Sequence, residues 1–206
     1  MDDYIRKPTV LAFAGPNGSG KTTLTRGLPT FSTYVNADDI KAEYDITDIE
    51  AAQQAQTLRN ALINKKADFS FETVLSTERN LLLLKKAKTL GYEVQCIYVL
   101  TCDENINIAR VKARRAAGGH DVPEDKIRAR YHRALALIPQ LLIVCDKILI
   151  YDNTFTPTLI FRKEGSDTAI FPNELWSESA LQQMLNKDSS SACQHTILKF
   201  SKKSIP

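Results

Sequence analysis

Eight residues near the start of the chain, Gly15-Pro16-Asn17-Gly18-Ser19-Gly20-Lys21-Thr22, read G-x-x-x-x-G-K-[ST] and directly follow a nearly unbroken apolar run, Thr9 to Ala14 (TVLAFA). A short apolar run that stops at a glycine is what a strand buried on both faces of a parallel sheet looks like. A glycine-rich turn from such a strand into a helix aims successive backbone N–H groups at one point, where the helix adds its positive dipole end. That is a cradle for phosphate. Gly15, Gly18 and Gly20 let the backbone turn, and Pro16, Asn17 and Ser19 complete the loop. The Lys21 ammonium reaches the β- and γ-phosphates, the Thr22 hydroxyl is a hard oxygen ligand for Mg²⁺, and Thr23 follows on the first helical turn. The expected ligands are ATP, with GTP admitted, and Mg²⁺.

The rest of the chain alternates strands and helices. A helix is expected from Lys21 to Gly27, closed by Gly27 and Pro29, and a short strand over Thr33 to Asn36. Thr47 and Glu50 form a capping box, after which Ala51, Ala55, Leu58 and Leu62 share one helix face. Phe69 to Leu75 reads as a strand, and Ser76 or Thr77 caps a helix through Leu90. Glu93 to Leu100 is a further strand, Asp103 caps a helix to Ala117, Gly118-Gly119 ends it, and Pro123 opens another. Lys147 to Tyr151 is the fifth strand. This order predicts an α/β P-loop NTPase fold, a three-layer sandwich with a five-stranded parallel sheet, helices on both faces and a helical lid. Leu159 to Arg162 and Ala169 to Phe171 read as a small separate hairpin, and Asn173 to Leu185 as a last helix. Residues 1–186 are expected to form one kinase domain with its lid at about 105–135, and 187–206 a loosely ordered polar and basic tail.

Composition narrows the function. With 43% hydrophobic and 25% charged residues the chain is ordinary for a soluble protein, and it shows no apolar run of membrane-spanning length and no secretory leader. A net charge of +3 is too small to suggest a nucleic-acid partner. Cys96, Cys102, Cys145 and Cys193 form no C-x-x-C pair and read as reduced thiols of a cytoplasmic protein. The wording GPNGSGKTT also occurs in transporter-type ATPases. Those carry an LSGGQ-like signature, absent here, and Asp103-Glu104 is separated from its strand by Thr101 and Cys102.

In parallel sheets, ligands bind beyond the carboxyl ends of the strands, so the polar residues there are the candidates for chemistry. Asn36-Ala37-Asp38-Asp39 follows the second strand. One aspartate is expected to cap a helix and the other, Asp38, to accept the proton of an acceptor hydroxyl, with Asp39 lining the substrate side. Glu72 emerges from an apolar strand tip, where a carboxylate faces either a ligand or a structural cation, and Thr73 stands beside it. From Arg110 to Arg133 there are eight basic and three acidic residues. Arg110 and Arg114 share a helix face, as do Lys126, Arg130 and Arg133, on either side of Gly118-Gly119-His120-Asp121-Val122-Pro123. Two arginine-bearing helices on a glycine hinge suit a lid that closes over nucleotide. Arg110 is a candidate nucleotide contact, Arg114 and Arg130 are candidates for stabilising the transferring phosphoryl group, and His120 is a candidate substrate contact. Tyr151-Asp152-Asn153 either reaches the adenine or begins a turn.

Together, GPNGSGKTT, VNADDIK (Val35 to Lys41), FETVLST (Phe71 to Thr77), the arginine and GGHDVP stretch and YDN resemble the zeta toxin family of bacterial P-loop kinases, over about residues 9 to 153. The resemblance implies ATP-dependent phosphorylation of the 3′-hydroxyl of UDP-N-acetylglucosamine, and an antitoxin protein as partner. It matches Lys21 to the phosphate-binding lysine, Asp38 to the catalytic base, Glu72 to a substrate-binding glutamate and Arg114 to a phosphate-clamping arginine. The chain departs from the family where Lys41 replaces an arginine and where Glu72-Thr73-Val74-Leu75-Ser76 stands for E-G-T-L-R. Both departures fall in the expected substrate pocket. On residues alone, a regulatory P-loop ATPase that switches a protein partner remains the alternative to a kinase.

Overall fold

A computed structural model describes residues 6–26, 33–119 and 122–186. The expected helix stop at Gly27 and Pro29, His120, Asp121 and the 187–206 tail with Cys193 lie outside the described residues. The elements follow in the order β1 (Thr9–Ala14), α1 (Lys21–Thr25), β2 (Tyr34–Val35), α2 (Ala37–Tyr44), α3 (Asp48–Asn64), β3 (Phe69–Thr73), α4 (Glu78–Thr89) and β4 (Glu93–Leu100). Then come α5 (Glu104–Ala116), α6 (Glu124–Ala136), α7 (Ile138–Val144), β5 (Lys147–Asp152), β6 (Thr158–Glu164), β7 (Asp167–Ile170) and α8 (Glu178–Leu185).

The sheet order is β2-β3-β1-β4-β5-β6-β7. The five expected strands are mutually parallel. The expectation of a five-stranded, wholly parallel sheet is nevertheless corrected. The hairpin read as separate continues the sheet, with β6 antiparallel to β5 and β7 antiparallel to β6, so the sheet is seven-stranded and mixed. The physical reason lies in β5. Its residues alternate half-buried and buried, leaving backbone groups along one edge that β6 satisfies.

Burial explains why β1 is central. All six of its residues are buried, because β3 and β4 flank it and both faces are covered. Val10, Ala12 and Ala14 join Phe69, Phe71, Val94, Cys96, Tyr98, Ile148 and Ile150 in one core with residues of α3, α4, α7 and α8. Phe13 points to the other face, against the Tyr34 ring at 6.3 Å between centroids. A second, small cluster of Ile108, Val111 and Ile127, with Val122 against it, joins α5 to α6.

The helix starts follow local rules, with two corrections. Thr47 and Glu50 make the capping box on α3, and Asp103 caps α5 through Asn105 N. Neither Asp38 nor Asp39 caps α2. Asn36 does, its Oδ1 accepting from Asp38 N at 3.0 Å, which leaves both aspartates in the first turn. β3 ends at Thr73 rather than Leu75, because Thr73 Oγ1 accepts from Leu75 N at 2.9 Å and Leu75 takes a left-handed φ of 50°. Cys96, Cys102 and Cys145 are free thiols, and no described helix is long and apolar enough to cross a membrane.

Candidate active site

The cradle is held by backbone close approach. A Cβ on Gly15, whose φ is +141°, would stand 2.0 Å from Val99 O, and one on Gly18, at φ +77°, would stand 2.4 Å from Asn107 O. No side chain fits at either place, so the loop packs directly on β4 and α5. Polar clamps complete the packing. Asn107, fully buried on α5, donates from Nδ2 to Asn17 O at 2.7 Å, and Thr101 at the tip of β4 donates to Asn107 Oδ1. Asn153, after β5, donates from Nδ2 to Ser19 O at 2.8 Å. Gly20 stands at the N-cap of α1 with no side-chain cap, so the first-turn amides there are left for a phosphate. Thr23 is exposed on that turn.

Lys21 is buried, its Nζ donating to Gly15 O at 2.9 Å and Pro16 O at 3.1 Å. Burial holds its pKa below the ordinary lysine value. Glu72 and then Asp38 oppose that shift, and Arg114 adds to it. Three groups from β3, α2 and α5, far apart in sequence, therefore act on one ammonium. Glu72 lies 3.9 Å from Lys21 Nζ, accepts from the Thr22 hydroxyl at 3.1 and 3.3 Å, and accepts from Tyr34 OH at 3.2 Å. Burial first, then Asp38 and Glu72, raise the pKa of Asp39, so three carboxylates crowd the rim beside the cradle. The Tyr34 phenol is pushed up by burial and by Glu72.

The basic stretch divides by role. Arg130 Nη1 donates to Asn17 Oδ1 at 3.2 Å, reaching the P-loop from α6. Arg110 donates to Thr154 O at 3.0 Å while its Nη1 is buried without a partner. Lys112 pairs with Glu124, and Arg128 pairs with Glu104 and Glu124, so these two tie α5 to α6. Lys126 and Arg133 are exposed. Arg130 thus touches the P-loop and Arg114 acts on Lys21, whereas Arg110 is tied to the turn after β5.

Some candidates sit differently from their expected roles. Thr73 is buried, and its hydroxyl oxygen is occupied by Leu75 N and Asn80 Nδ2, so it shapes the turn after β3 instead of facing the cleft. Lys41 pairs with Asp48 at 2.6 Å across the α2–α3 joint. Asp152 is buried and accepts from Thr154, which in turn accepts from Cys102 N, so that part of YDN builds the β5 turn. Sequence reasoning missed Asn107 and Tyr34. Asn107 had a signal, an amide placed beside Ile108 on the apolar face of a helix, while Tyr34 had none that marks it off from other strand tyrosines.

A parallel core with a P-loop after its central strand, and arginines from a helix pair turned onto that loop, defines the P-loop kinase class. Residues 26–165 match the zeta toxin family, and the chain belongs to it. An uncharacterized protein of Haemophilus influenzae is 30% identical over 134 residues, 62% of this chain and 96% of its own length. Among solved structures, one from the PezAT chromosomal toxin–antitoxin system of Streptococcus pneumoniae superimposes with a TM-score of 0.58 at 19% identity, covering 87% of this chain and 84% of that one. The AvrRxo1-ORF1:-ORF2 complex solved with ATP superimposes with a TM-score of 0.67 at 13% identity, over 90% of this chain, which spans 65% of that one. At such identities the two structures bear on the fold alone.

Proposed function

We propose that the chain is an ATP- and Mg²⁺-dependent kinase that moves the γ-phosphoryl group onto a hydroxyl of a small molecule, in the class of nucleotide sugars such as UDP-N-acetylglucosamine. The observation that carries this reading is the convergence of Glu72, Asp38 and Arg114 on Lys21. It supports reading Lys21 as the cation for the phosphates, Asp38 as the carboxylate for the acceptor and Arg114 as a lid arginine. The acceptor oxygen bonds to the γ-phosphorus as the bond from that phosphorus to the β–γ bridging oxygen breaks. The hydroxyl proton passes to the Asp38 carboxylate, and ADP leaves. Lys21 holds the β- and γ-oxygens, and Arg114 and Arg130 meet charge that develops during transfer. Thr22 Oγ1 and the Glu72 carboxylate, 3.1 Å apart, are the hard-oxygen pair that suits Mg²⁺, which when bound neutralises charge on the phosphates.

Residues 105–135 act as the lid in this reading, and the reaction belongs in the cytoplasm, where ATP is. The PezAT structure comes from a toxin–antitoxin system, and AvrRxo1-ORF1 was solved in complex with ORF2. A protein antitoxin is accordingly proposed as partner. The test is incubation with γ-labelled ATP and a metabolite extract, beside protein and ATP alone. Label in a small molecule supports the kinase. Release of inorganic phosphate in both samples, with no labelled metabolite, refutes it in favour of an ATPase.

A further inference from the structure

α6 touches the P-loop at a side chain, the Asn17 carboxamide. Arg130 is half-buried and donates from Nη1 to Asn17 Oδ1 at 3.2 Å, across 113 positions of chain. Among the described residues this is its one hydrogen bond, and no carboxylate pairs with it. Its helix neighbours are engaged otherwise. Arg128 is bound to Glu104, Glu124 and Asn105, and Tyr131 is buried with its hydroxyl donating to Thr101 O at 2.6 Å. α6 is therefore anchored on either side of Arg130 by contacts that involve no nucleotide.

Asn17 is anchored as well, but by its main chain. Its carbonyl accepts from the buried Asn107 Nδ2 at 2.7 Å, and the bare Cα of Gly18 lies against Asn107 O. Packing thus sets the backbone, and the carboxamide is left with a task of its own. Asparagine side chains in turns commonly bond to backbone groups of the same turn. This one accepts from an arginine of another element instead. Both ends of the contact are fixed independently, so the contact fixes where the guanidinium stands.

The acceptor atom is neutral, and that matters chemically. A carboxylate at the same place would hold the cation with a charge-assisted bond roughly twice as strong, and would neutralise it. An amide oxygen aims the guanidinium and leaves its charge and remaining donors for an oxyanion that arrives later. We infer that Asn17 is a positioning residue that sets Arg130 at the P-loop before nucleotide enters, so that the phosphates need not recruit the arginine themselves. The inference deepens the kinase reading, and rests on it for the developing charge that Arg130 meets. Pre-set donors cost no reorganisation at the moment of reaction, so the effect of Asn17 belongs in turnover and not in ATP affinity.

The test uses the full chain. In the nucleotide-free protein, NMR of the Arg130 guanidinium should show slowed rotation about Nε–Cζ, and Asn17→Ala should speed it about fivefold or more as the acceptor is lost. Rotation unchanged by the substitution overturns the contact. Asn17→Ala should fold as wild type does, because the bond from Asn107 goes to the main chain and survives. Its turnover should fall about tenfold with Kd for ATP within about threefold of wild type, and it should cost nothing further in a chain already carrying Arg130→Ala. Losses that add in the double variant, or a loss confined to ATP affinity, would show Asn17 acting on the phosphates directly and overturn the inference. Asn17→Asp should slow the rotation below that of wild type and still lower turnover, since the cation is then neutralised. Turnover at or above wild type in that variant overturns the role of a neutral acceptor. Read on the slow hydrolysis of ATP without any acceptor, the same cycle supports the inference even where no metabolite takes label, a result that counts against the kinase reading alone.

Discussion

The two sides of the cleft are held together differently. On the nucleotide side, Gly15 and Gly18 press on the backbone of β4 and α5, Asn107 and Asn153 clamp the loop carbonyls, and Lys21 is buried with its protons engaged. On the acceptor side, Asp38 and Asp39 are exposed in the first turn of α2, and they crowd Glu72 with like charge. The first arrangement is fixed by close backbone packing and buried hydrogen bonds. The second holds unbalanced charge on a short helix that can change sequence without disturbing the core. The P-loop is thus built into the fold, whereas the carboxylates proposed to meet the acceptor sit on its rim.

Lys21→Ala breaks the nucleotide side at its centre. ATP affinity should fall by roughly 10²- to 10⁴-fold, two charged bonds at about 1.5–3 kcal/mol each being lost. Calorimetry with ATP and Mg²⁺ measures it, and undiminished affinity would remove the P-loop lysine from its assigned role. Asp38→Asn addresses the acceptor side alone. Transfer should slow by about 10²- to 10⁴-fold while ATP affinity holds, as the base is lost but the cradle is not. An equal loss of ATP binding would erase the distinction between the two sides.

Arg130→Ala asks whether the lid belongs to the nucleotide side. Turnover should drop by about 2.7–4 kcal/mol in activation free energy, far more than ATP binding. A rate within threefold of wild type would make Arg130 a structural contact to Asn17. Asn107→Ala should cost about 1–3 kcal/mol in denaturant unfolding, because it leaves the half-buried Asn17 O without its donor while Thr101 keeps only Asp103 O. Asp39→Asn should have the smallest effect and the opposite sign. The fold raises the pKa of Asp39 and so favours its protonated form, and stability is lost as pH rises from the unfolded-state pKa through the folded one. At pH 7 the substitution should therefore stabilise the protein by about 0.5 kcal/mol or less, a gain that should fade in acid as Asp39 itself is protonated. Destabilisation at pH 7 would show that the carboxylate has a favourable partner.

Legibility in the sequence followed the locality of the forces. The cradle is eight consecutive residues, and the core strands are continuous apolar runs, so both could be read directly. Asn36, Asp38 and Asp39 are all able caps within four positions, and only the backbone angles of Asn36 decide among them. Whether β6 pairs with β5 or stands apart depends on contacts distant in the chain, which leave no periodicity behind. Nothing local in the sequence records that the Arg59 face of α3 covers Phe71. Asp38, Glu72 and Arg114 were each legible as candidates. Their common action on Lys21 was not, because it arises from three separate crossings of the sheet.

The attachment of α5 has a mechanical consequence. Asn107, in its first turn, is pinned to the P-loop, and Tyr131 of α6 donates to Thr101 O at 2.6 Å, so both helices are fastened near the tip of β4. Those fastenings make a fulcrum, and the pair is a lever stiffened by Ile108, Val111 and Ile127. At about 1.5 Å per residue, Arg110 stands roughly 4.5 Å from the fulcrum along the helix and Arg114 roughly 10 Å. A tilt of about 10° would then carry Arg110 by under about 1 Å and Arg114 by nearly 2 Å. The inner arginine, tied to Thr154 O, would keep its place while the outer one sweeps, so a single small rotation of the pair would move Arg114 relative to the P-loop far more than Arg110.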